Sequence, residues 1–182
     1  YYAVVNFKSM AAIVDALGGV DINLEGLEYY YINYNVAVSE DYEGFPKSKT
    51  RRVLTEADAG VSVHLDGLQA VSYARIRKLD SDFVRVERQQ RVVQAIYRQL
   101  GTLDLMQLTG VMTAYIGKVN TNVTLAQAAS LLSSVMGYSD VQVQTLRVPA
   151  DGAYRSDMLS DTYYIIPKLE RCRQDIAAFL GS

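Results

Sequence analysis

Histidine, cysteine and tryptophan are almost missing from this sequence, and their scarcity excludes several kinds of site. The 182 residues contain one histidine, His64, one cysteine, Cys172, and no tryptophan. A single cysteine excludes an intramolecular disulfide and a zinc site built from several cysteines. One histidine is too few for a histidine-rich metal site, and His64 occupies a polar position of a predicted strand, where an exposed side chain is expected. A metal bound by carboxylates stays open.

Long apolar runs and an excess of positive charge are also lacking. No stretch approaches the ~18 apolar residues of a membrane helix, and none has the layout of a signal peptide. The formal net charge is −2, whereas proteins that bind duplex DNA normally carry a basic surplus. The chain opens at Tyr1 in a predicted strand without an initiator methionine. We therefore expect it to be a piece of a longer protein.

What the sequence does contain is the composition and periodicity of a layered globular domain. Hydrophobic residues make up 49% and charged residues 21%, which is typical of a soluble domain with a substantial core. A predicted strand over 1–5, a helix over 9–17 that ends at Gly18-Gly19, and a strand over 20–24 form a β-α-β pattern. We predict one α/β (α+β) domain over 1–182, with a mixed central sheet flanked by helices in αβα layers.

The remaining elements follow from apolar spacing and capping residues. Residues 25–60 show no persistent period and are predicted to be a long loop with short strands. Ser9 and Asp82 are predicted helix caps, and Pro167 suits the first turn of the last helix, where Cys172 points inward. Thr124 and Gln127 form a capping-box pattern. The other predicted elements are strands over 61–65 and 141–148, a short helix after 66, and helices over 83–100, 105–119, 125–136 and 167–180.

A set of arginines near the middle of the chain is the candidate site. Arg75 and Arg77 are two residues apart, so in extended backbone both guanidinium groups leave the same side. On the following helix Arg85, Arg88 and Gln89 stand three and four residues apart and share one face. The five residues are therefore predicted to converge on the N-terminus of that helix.

Arginines at a helix N-terminus favour an anion as the ligand. The helix dipole and the free amides attract negative charge, and each guanidinium can hold two phosphate oxygens. A solvated charged helix, with Arg91 paired to Glu87 one turn earlier, explains the same pattern equally well. Residue spacing alone leaves both interpretations open.

The sequence around these arginines resembles the signature block of the LytR–CpsA–Psr family. It reads Leu-x-Gly-x-Gln-Ala-x-x-Tyr-x-Arg-x-Arg over 65–77 and Asp-Phe-x-Arg-x-x-Arg-Gln-Gln over 82–90. The stretch from Phe7 through Asp-Ala-Leu-Gly-Gly-Val-Asp21 is similar to the family's helix-to-strand segment, and the segments 145–149 and 166–170 resemble its closing part more loosely. The likeness runs in order along almost the whole chain.

The resemblance implies a cell-wall phosphotransferase that attaches polyprenyl-pyrophosphate-linked glycopolymers, such as teichoic acid or capsule, to peptidoglycan. Carried over by position, Arg75 and Arg77 are the implied catalytic residues. The implied pyrophosphate-binding residues are Arg75, Arg77, Arg85, Arg88 and Gln89. Candidates for the lining of the lipid pocket, for each of which a plain core role is the alternative, are Val92, Ile96, Leu108, Met112, Leu131 and Leu132.

The resemblance also implies components outside this chain. Mg²⁺ is expected for the complete domain, with acidic ligands upstream of Tyr1 and no metal ligand in this chain. The expected partners are the lipid-linked glycopolymer and the peptidoglycan acceptor, without nucleic acid. The full-length protein is expected at the extracellular face of the bacterial cytoplasmic membrane, anchored by an N-terminal helix. On this basis the chain alone carries half of a site.

Two further functions are kept as alternatives. A DNA-binding transcriptional regulator or attenuator would use the basic helix that carries Arg85, Arg88, Arg91 and Arg98, although the net charge and the lack of a recognisable helix-turn-helix argue against it. A non-catalytic module that binds a lipid pyrophosphate would retain the pocket and lack the chemistry.

Overall fold

The computed structural model describes residues 2–79, 81–115, 119–124, 126–128, 130, 144–159 and 162–181. The chain forms two compact units, Tyr1–Val141 and Gln142–Ser182, and each is described by itself. The prediction of one domain over 1–182 stays a prediction. In the described ranges no helix is both long enough and apolar enough to cross a membrane.

The first unit alternates helices with short strands. Its helices are α1 (Phe7–Ala16), α2 (Glu28–Tyr42), a 3₁₀ helix (Glu56–Asp58), α3 (Gly67–Ala74), α4 (Asp82–Leu100) and α5 (Leu105–Tyr115). Its strands are β1 (Ala3–Val4), β2 (Val20–Asn23), β3 (Ser62–Leu65) and β4 (Asn120–Thr121). The predicted helices over 9–17, 83–100 and 105–119 and the strands over 20–24 and 61–65 are thus present, with ends shifted by a few residues.

The strands of the first unit pair in a way that the sequence pattern did not predict. β2 pairs antiparallel with β3, and β1 pairs antiparallel with β4. The α+β class is confirmed, but the described strands form separate two-stranded antiparallel sheets instead of one mixed sheet. A β-α-β pattern does not fix which strands pair. β2 and β3 pair because their apolar positions, Val20 opposite Leu65 and Ile22 opposite Val63, all face the core.

Helix α2 is the main error of the prediction, which had a loop over 25–60. Its buried positions are Glu28, Ile32, Val36 and Ser39, which recur at helical spacing. Two of these four residues are polar, so the apolar period on which the prediction depended is weak. Burial of Ile32 and Val36 in the main core makes the helix favourable through tertiary packing.

Helix α3 lies close to α1 because Gly67 has no side chain. A Cβ atom on Gly67 would stand 1.9 Å from the carbonyl oxygen of Ala11, well inside contact distance. Asp66 caps α3 in a capping box with Gln69. The close approach gives Gly67 a role in packing, and the capping box gives Gln69 a role in starting α3. Neither role depends on a ligand.

Several predicted helix ends are displaced by one to three residues. Asn6, not Ser9, caps α1 by accepting a hydrogen bond from the Ser9 amide, because the helix begins earlier than its apolar period. Ser81, not Asp82, is the N-cap of α4. The Thr124–Gln127 capping box is confirmed by reciprocal side-chain bonds at 3.0 and 3.3 Å, and residues 126–128 and 130 are helical. The rest of the predicted 125–136 helix lies outside the described residues.

The second unit contains a hairpin that was not predicted. Strands β5 (Tyr154–Leu159) and β6 (Thr162–Pro167) pair antiparallel and are followed by α6 (Leu169–Leu180). Pro167 ends β6 and is not in the first helical turn. Residues 144–148 have no strand, contrary to the prediction, and 141–143 lie outside the described residues. Cys172 is buried on α6, as expected.

His64 makes a pH-dependent contact that we expect to affect stability near neutral pH. Its Nδ1 lies 2.8 Å from the Asp21 carboxylate across the β2–β3 pair, and its Nε2 lies 2.7 Å from the Gly18 carbonyl oxygen. Both partners are acceptors, so both ring nitrogens can donate only in the protonated ring. The Asp21 bond, followed by the Gly18 bond, therefore raises the pKa of His64 above 6.5.

Because the pKa of His64 is higher in the folded than in the unfolded state, protonation of His64 stabilises the fold. This stabilisation is complete below the unfolded pKa near 6.5 and is lost as the pH rises through the folded pKa. We expect wild type to exceed His64→Gln in denaturation midpoint at pH 5.5 and the gap to close toward pH 8.5. Urea titrations of both proteins across this range measure the gap. A gap that is constant with pH would contradict the assignment. Because His64 is the only histidine, no other imidazole contributes.

Candidate functional site

Four residues of the predicted site line one cleft in the first unit. The cleft has a volume of about 530 Å³. Its lining residues are Phe7, Tyr31, Tyr34, Asn35, Ala74, Arg75, Arg77, Lys78, Arg85 and Gln89. We call it the arginine cleft. Its described lining includes four cationic side chains and no carboxylate, which makes it suited to a multiply charged anion.

Arg75 and Arg77 reach the cleft by a different backbone path from the one predicted. Arg75 is the C-cap of α3 and has helical torsion angles of −98° and 0°, so the two residues are not an extended pair. Ile76 between them is 1% exposed and is anchored in the main core. Burial of Ile76 fixes the segment and leaves the arginines on either side at the cleft.

Arg85 and Gln89 enter the cleft from the first turns of α4. Arg85 Nη1 lies 3.0 Å from the carboxylate of Asp82. The Nε atom of Arg85 is buried and has no hydrogen-bond partner among the described residues. A buried donor without an acceptor is costly.

Arg88 was predicted to bind pyrophosphate, but the structure does not place it in the arginine cleft. Its side chain and that of Glu28 are both 3% exposed, and Arg88 Nε lies 2.6 Å from Glu28 Oε1. The cause is α2, which brings the carboxylate of Glu28 against α4. This placement supports a structural role for Arg88 within the fold.

The other arginines of α4 point away from the cleft, which bears on the DNA-binding alternative. Arg91 contacts Glu25 at 3.1 Å and the Tyr73 hydroxyl at 3.3 Å, not Glu87 as in the solvated-helix interpretation. Arg91 and Arg98 line a second cleft whose lining also includes Asp21 and Glu25. With Arg88 buried, α4 does not present the continuous basic face that a DNA-binding helix requires.

Of the lipid-pocket candidates that the structure describes, two are part of the main core or pack against it. Val92 is 3% exposed and belongs to the main core, and Ile96 packs against that core. Leu108 is 2% exposed, and Met112 is half-buried. None of these four lines the arginine cleft. Leu131 and Leu132 lie outside the described residues, so a lipid pocket stays a prediction.

Helix α2 supplies the part of the cleft that sequence reasoning missed. Tyr31, Tyr34 and Asn35 form this wall. Lys78 Nζ lies 5.3 Å from the centre of the Tyr34 ring, and the amide of Asn35 donates to the Ser72 carbonyl at 2.9 Å. The run of tyrosines was visible in the sequence, but only the helix shows which of them face the arginines.

The described residues contain no group of three or more histidine, cysteine, aspartate or glutamate side chains close enough to hold a metal ion. Glu43 is a carboxylate beside the cleft, and Arg75 occupies both of its oxygens.

The fold and the sequence both have relatives among known proteins. A protein of Bacillus cereus named polyisoprenyl-teichoic acid–peptidoglycan teichoic acid transferase TagU is 30% identical over 179 residues, which are 97% of this chain and 50% of TagU. The chain thus spans about half the length of the curated relatives it matches.

Two solved structures share the fold at lower identity. The B. subtilis TagV crystal structure is 19% identical with a TM-score of 0.69 and covers 99% of this chain and 62% of its own. TagT bound to LIIa-WTA is 21% identical with a TM-score of 0.65 and covers 98% of this chain and 59% of its own. The LytR_cpsA_psr family model matches residues 1–175. The chain therefore belongs to the LytR–CpsA–Psr family.

Proposed function

We propose that the arginine cleft binds the pyrophosphate of a polyprenyl-linked glycopolymer and that the complete protein transfers this polymer to peptidoglycan. The main support for the proposal is that one cleft brings together four cationic side chains, while its described lining has no carboxylate. These side chains are Arg75, Arg77, Lys78 and Arg85. The name of the B. cereus relative, a teichoic acid–peptidoglycan transferase, supports the polymer and acceptor classes. Teichoic acid is the polymer that this likeness favours.

In the proposed transfer, the arginines stabilise the negative charge of the phosphate groups. An acceptor hydroxyl attacks the phosphorus that carries the polymer and gives up its proton to water. The bond from that phosphorus to the bridging oxygen breaks, and lipid phosphate leaves with the bonding electrons. Arg75 and Arg77 are proposed to stabilise the charge that develops on the leaving phosphate. The guanidinium of Arg85 and the side-chain amide of Gln89 are proposed to orient the same group.

The proposed function also involves a metal ion, a membrane anchor and two partners. Mg²⁺ is expected to assist the complete domain, with ligands from other parts of the protein. The complete protein is proposed to act at the extracellular face of the cytoplasmic membrane and to be anchored there by an N-terminal helix. The proposed partners are the lipid-linked polymer and peptidoglycan, without nucleic acid.

The first test of the proposal is the effect of prenyl chain length on affinity. Each CH₂ group that enters an apolar pocket adds at most ~0.8 kcal/mol, so longer prenyl pyrophosphates should bind more tightly until the pocket is full. Titration of the full-length protein with prenyl pyrophosphates of increasing length measures this dependence. A flat response to length, together with duplex DNA binding that weakens steeply between roughly 50 and 200 mM salt, would favour the regulator instead.

A transfer assay then separates an enzyme from a binding module. Full-length protein, lipid-linked polymer and peptidoglycan are incubated with Mg²⁺, and polymer attached to the wall fraction is measured. Attached polymer supports the transferase. Tight binding of the lipid without any attachment would identify a non-catalytic lipid-pyrophosphate binder.

A further inference from the structure

One cation of the arginine cleft already has a carboxylate partner that is not part of the cleft lining. Arg75 Nη1 and Nη2 each donate to Glu43, at 2.6 Å to Oε2 and 2.6 Å to Oε1. Nη1 also donates to the hydroxyl of Ser39 at 3.1 Å. The pair is partly exposed, with 25% of the Arg75 side chain and 33% of the Glu43 side chain accessible.

Helix α2 holds Glu43 in this position. Glu43 is the C-cap of α2, and its amide donates to the Ser39 carbonyl. The fully buried Ser39 also donates its hydroxyl to Glu43 at 3.0 Å. On the other side, the Arg75 guanidinium lies 4.7 Å from the centre of the Phe7 ring. The carboxylate is thus fixed by the fold and is not a mobile surface side chain.

The hydrogen bonds of Arg75 determine how many of its N–H donors remain for a ligand. A guanidinium has five N–H donors, and Glu43 and Ser39 occupy three of them. The remaining donors are the Nε–H and one Nη2–H, which form a single fork. An anion can therefore meet Arg75 by this one edge, but the charge of the guanidinium is already balanced by Glu43.

We infer that Glu43 is a built-in counter-ion that lowers the affinity of the arginine cleft for anions by sharing Arg75 with them. This inference rests on the proposed pyrophosphate site and adds a residue that sets its affinity. Arg85 also has a carboxylate partner, Asp82 at 3.0 Å, so two of the four described cations of the lining are already paired. In the proposed function, weaker binding of anions favours release of the lipid phosphate after transfer.

The counter-ion stays charged under all ordinary conditions. Hydrogen bonding from Arg75, followed by that from Ser39, lowers the pKa of Glu43 to about 2 against the opposing effect of burial. Other charged groups near the pair are Lys8, which also lowers the pKa of Glu43, and the cations of the cleft itself. Glu43 is therefore expected to keep its charge between pH 5 and 9.

The test measures binding of inorganic pyrophosphate by Glu43→Gln. This variant removes the charge and nearly preserves the size of the side chain. Release of Arg75 should tighten binding roughly two- to fivefold, the equivalent of an ion pair near the protein surface. The control is Glu56→Gln, an equal charge change at an exposed position outside the cleft, which should leave binding unchanged. Thermal melts confirm that both variants are folded.

A double-mutant cycle shows whether Glu43 acts through Arg75. The gain from Glu43→Gln should vanish in an Arg75→Ala background. A gain of the same size in that background would indicate a general effect of charge and overturn the inference. Weaker pyrophosphate binding by folded Glu43→Gln would overturn it as well, because Glu43 would then be needed to orient Arg75.

Inorganic pyrophosphate has no lipid, so this result is independent of the proposed function. Tighter binding by Glu43→Gln, combined with a flat response to prenyl length, would support the counter-ion and reject the lipid-linked substrate. A clear response to prenyl length with no change in Glu43→Gln would reject the counter-ion and retain the proposed function.

Discussion

Replacement of Arg88 with methionine is expected to lower the free energy of unfolding by about 3–5 kcal/mol, the usual cost of removing one partner of a buried ion pair. Arg88 and Glu28 are both about 2% exposed as residues, so the loss of the guanidinium leaves a buried carboxylate without its opposite charge. The Glu28 carboxylate also accepts from the Glu25 amide at 2.8 Å, which compensates for little of that charge. Urea denaturation followed by circular dichroism measures the change.

The same substitution on the surface of α4 provides the control. Arg98 is exposed, and Arg98→Met should alter stability by no more than about 0.5 kcal/mol. The double variant Glu28→Leu/Arg88→Met should recover most of the lost stability, because it removes both buried charges. Equal, small losses for Arg88→Met and Arg98→Met would contradict the structural role and return Arg88 to the candidate ligand-binding residues.

Replacement of Arg77 with alanine in the full-length protein is expected to weaken binding of a prenyl pyrophosphate roughly ten- to a hundredfold. This range corresponds to one charged hydrogen bond, ~1.5–3 kcal/mol. Arg77 lines the arginine cleft and is exposed, and it has no ion pair among the described residues. Its donors are therefore available to the ligand without first leaving a protein partner. Calorimetric titration with farnesyl pyrophosphate measures the loss.

Two further variants make this measurement specific. Arg98→Ala removes an equal charge outside the arginine cleft, and affinity should change by less than about threefold, as expected for a screened surface charge. Arg75→Ala should also weaken binding, by less than Arg77→Ala because Glu43 already shares Arg75. Unchanged affinity in both Arg75→Ala and Arg77→Ala would refute the pyrophosphate assignment.

The sequence predicted well the elements whose stability is local. Strong apolar periods identified α1, α4 and α5, and glycines marked the ends of α1 and α4. The alternation of Val63 and Leu65 identified β3. These features depend on neighbours a few residues away, so one sequence contains the information that they need. Residue spacing identified Arg75, Arg77, Arg85 and Gln89 as candidates, and the resemblance to a known family favoured pyrophosphate as their ligand. The structure brings these four residues into one cleft.

Other elements became clear only from contacts between distant residues. The sequence did not predict α2, because its buried face includes Glu28 and Ser39, which are stabilised by Arg88 and Arg75 from elsewhere in the chain. The β5–β6 hairpin was missed as well, since most of its side chains are exposed and give no alternation of buried and exposed positions.

By itself, then, the sequence determined the class of fold, the family likeness and the cluster of arginines. Tertiary structure decided the role of each arginine. Arg88 and Arg85 lie three residues apart on one helix, yet Arg88 meets a buried carboxylate and Arg85 faces the cleft. The physical reason is that helical spacing fixes the direction of a side chain only relative to its own helix. Which charged group an arginine of α4 contacts depends on the position of α2. That position depends in turn on packing across the whole first unit.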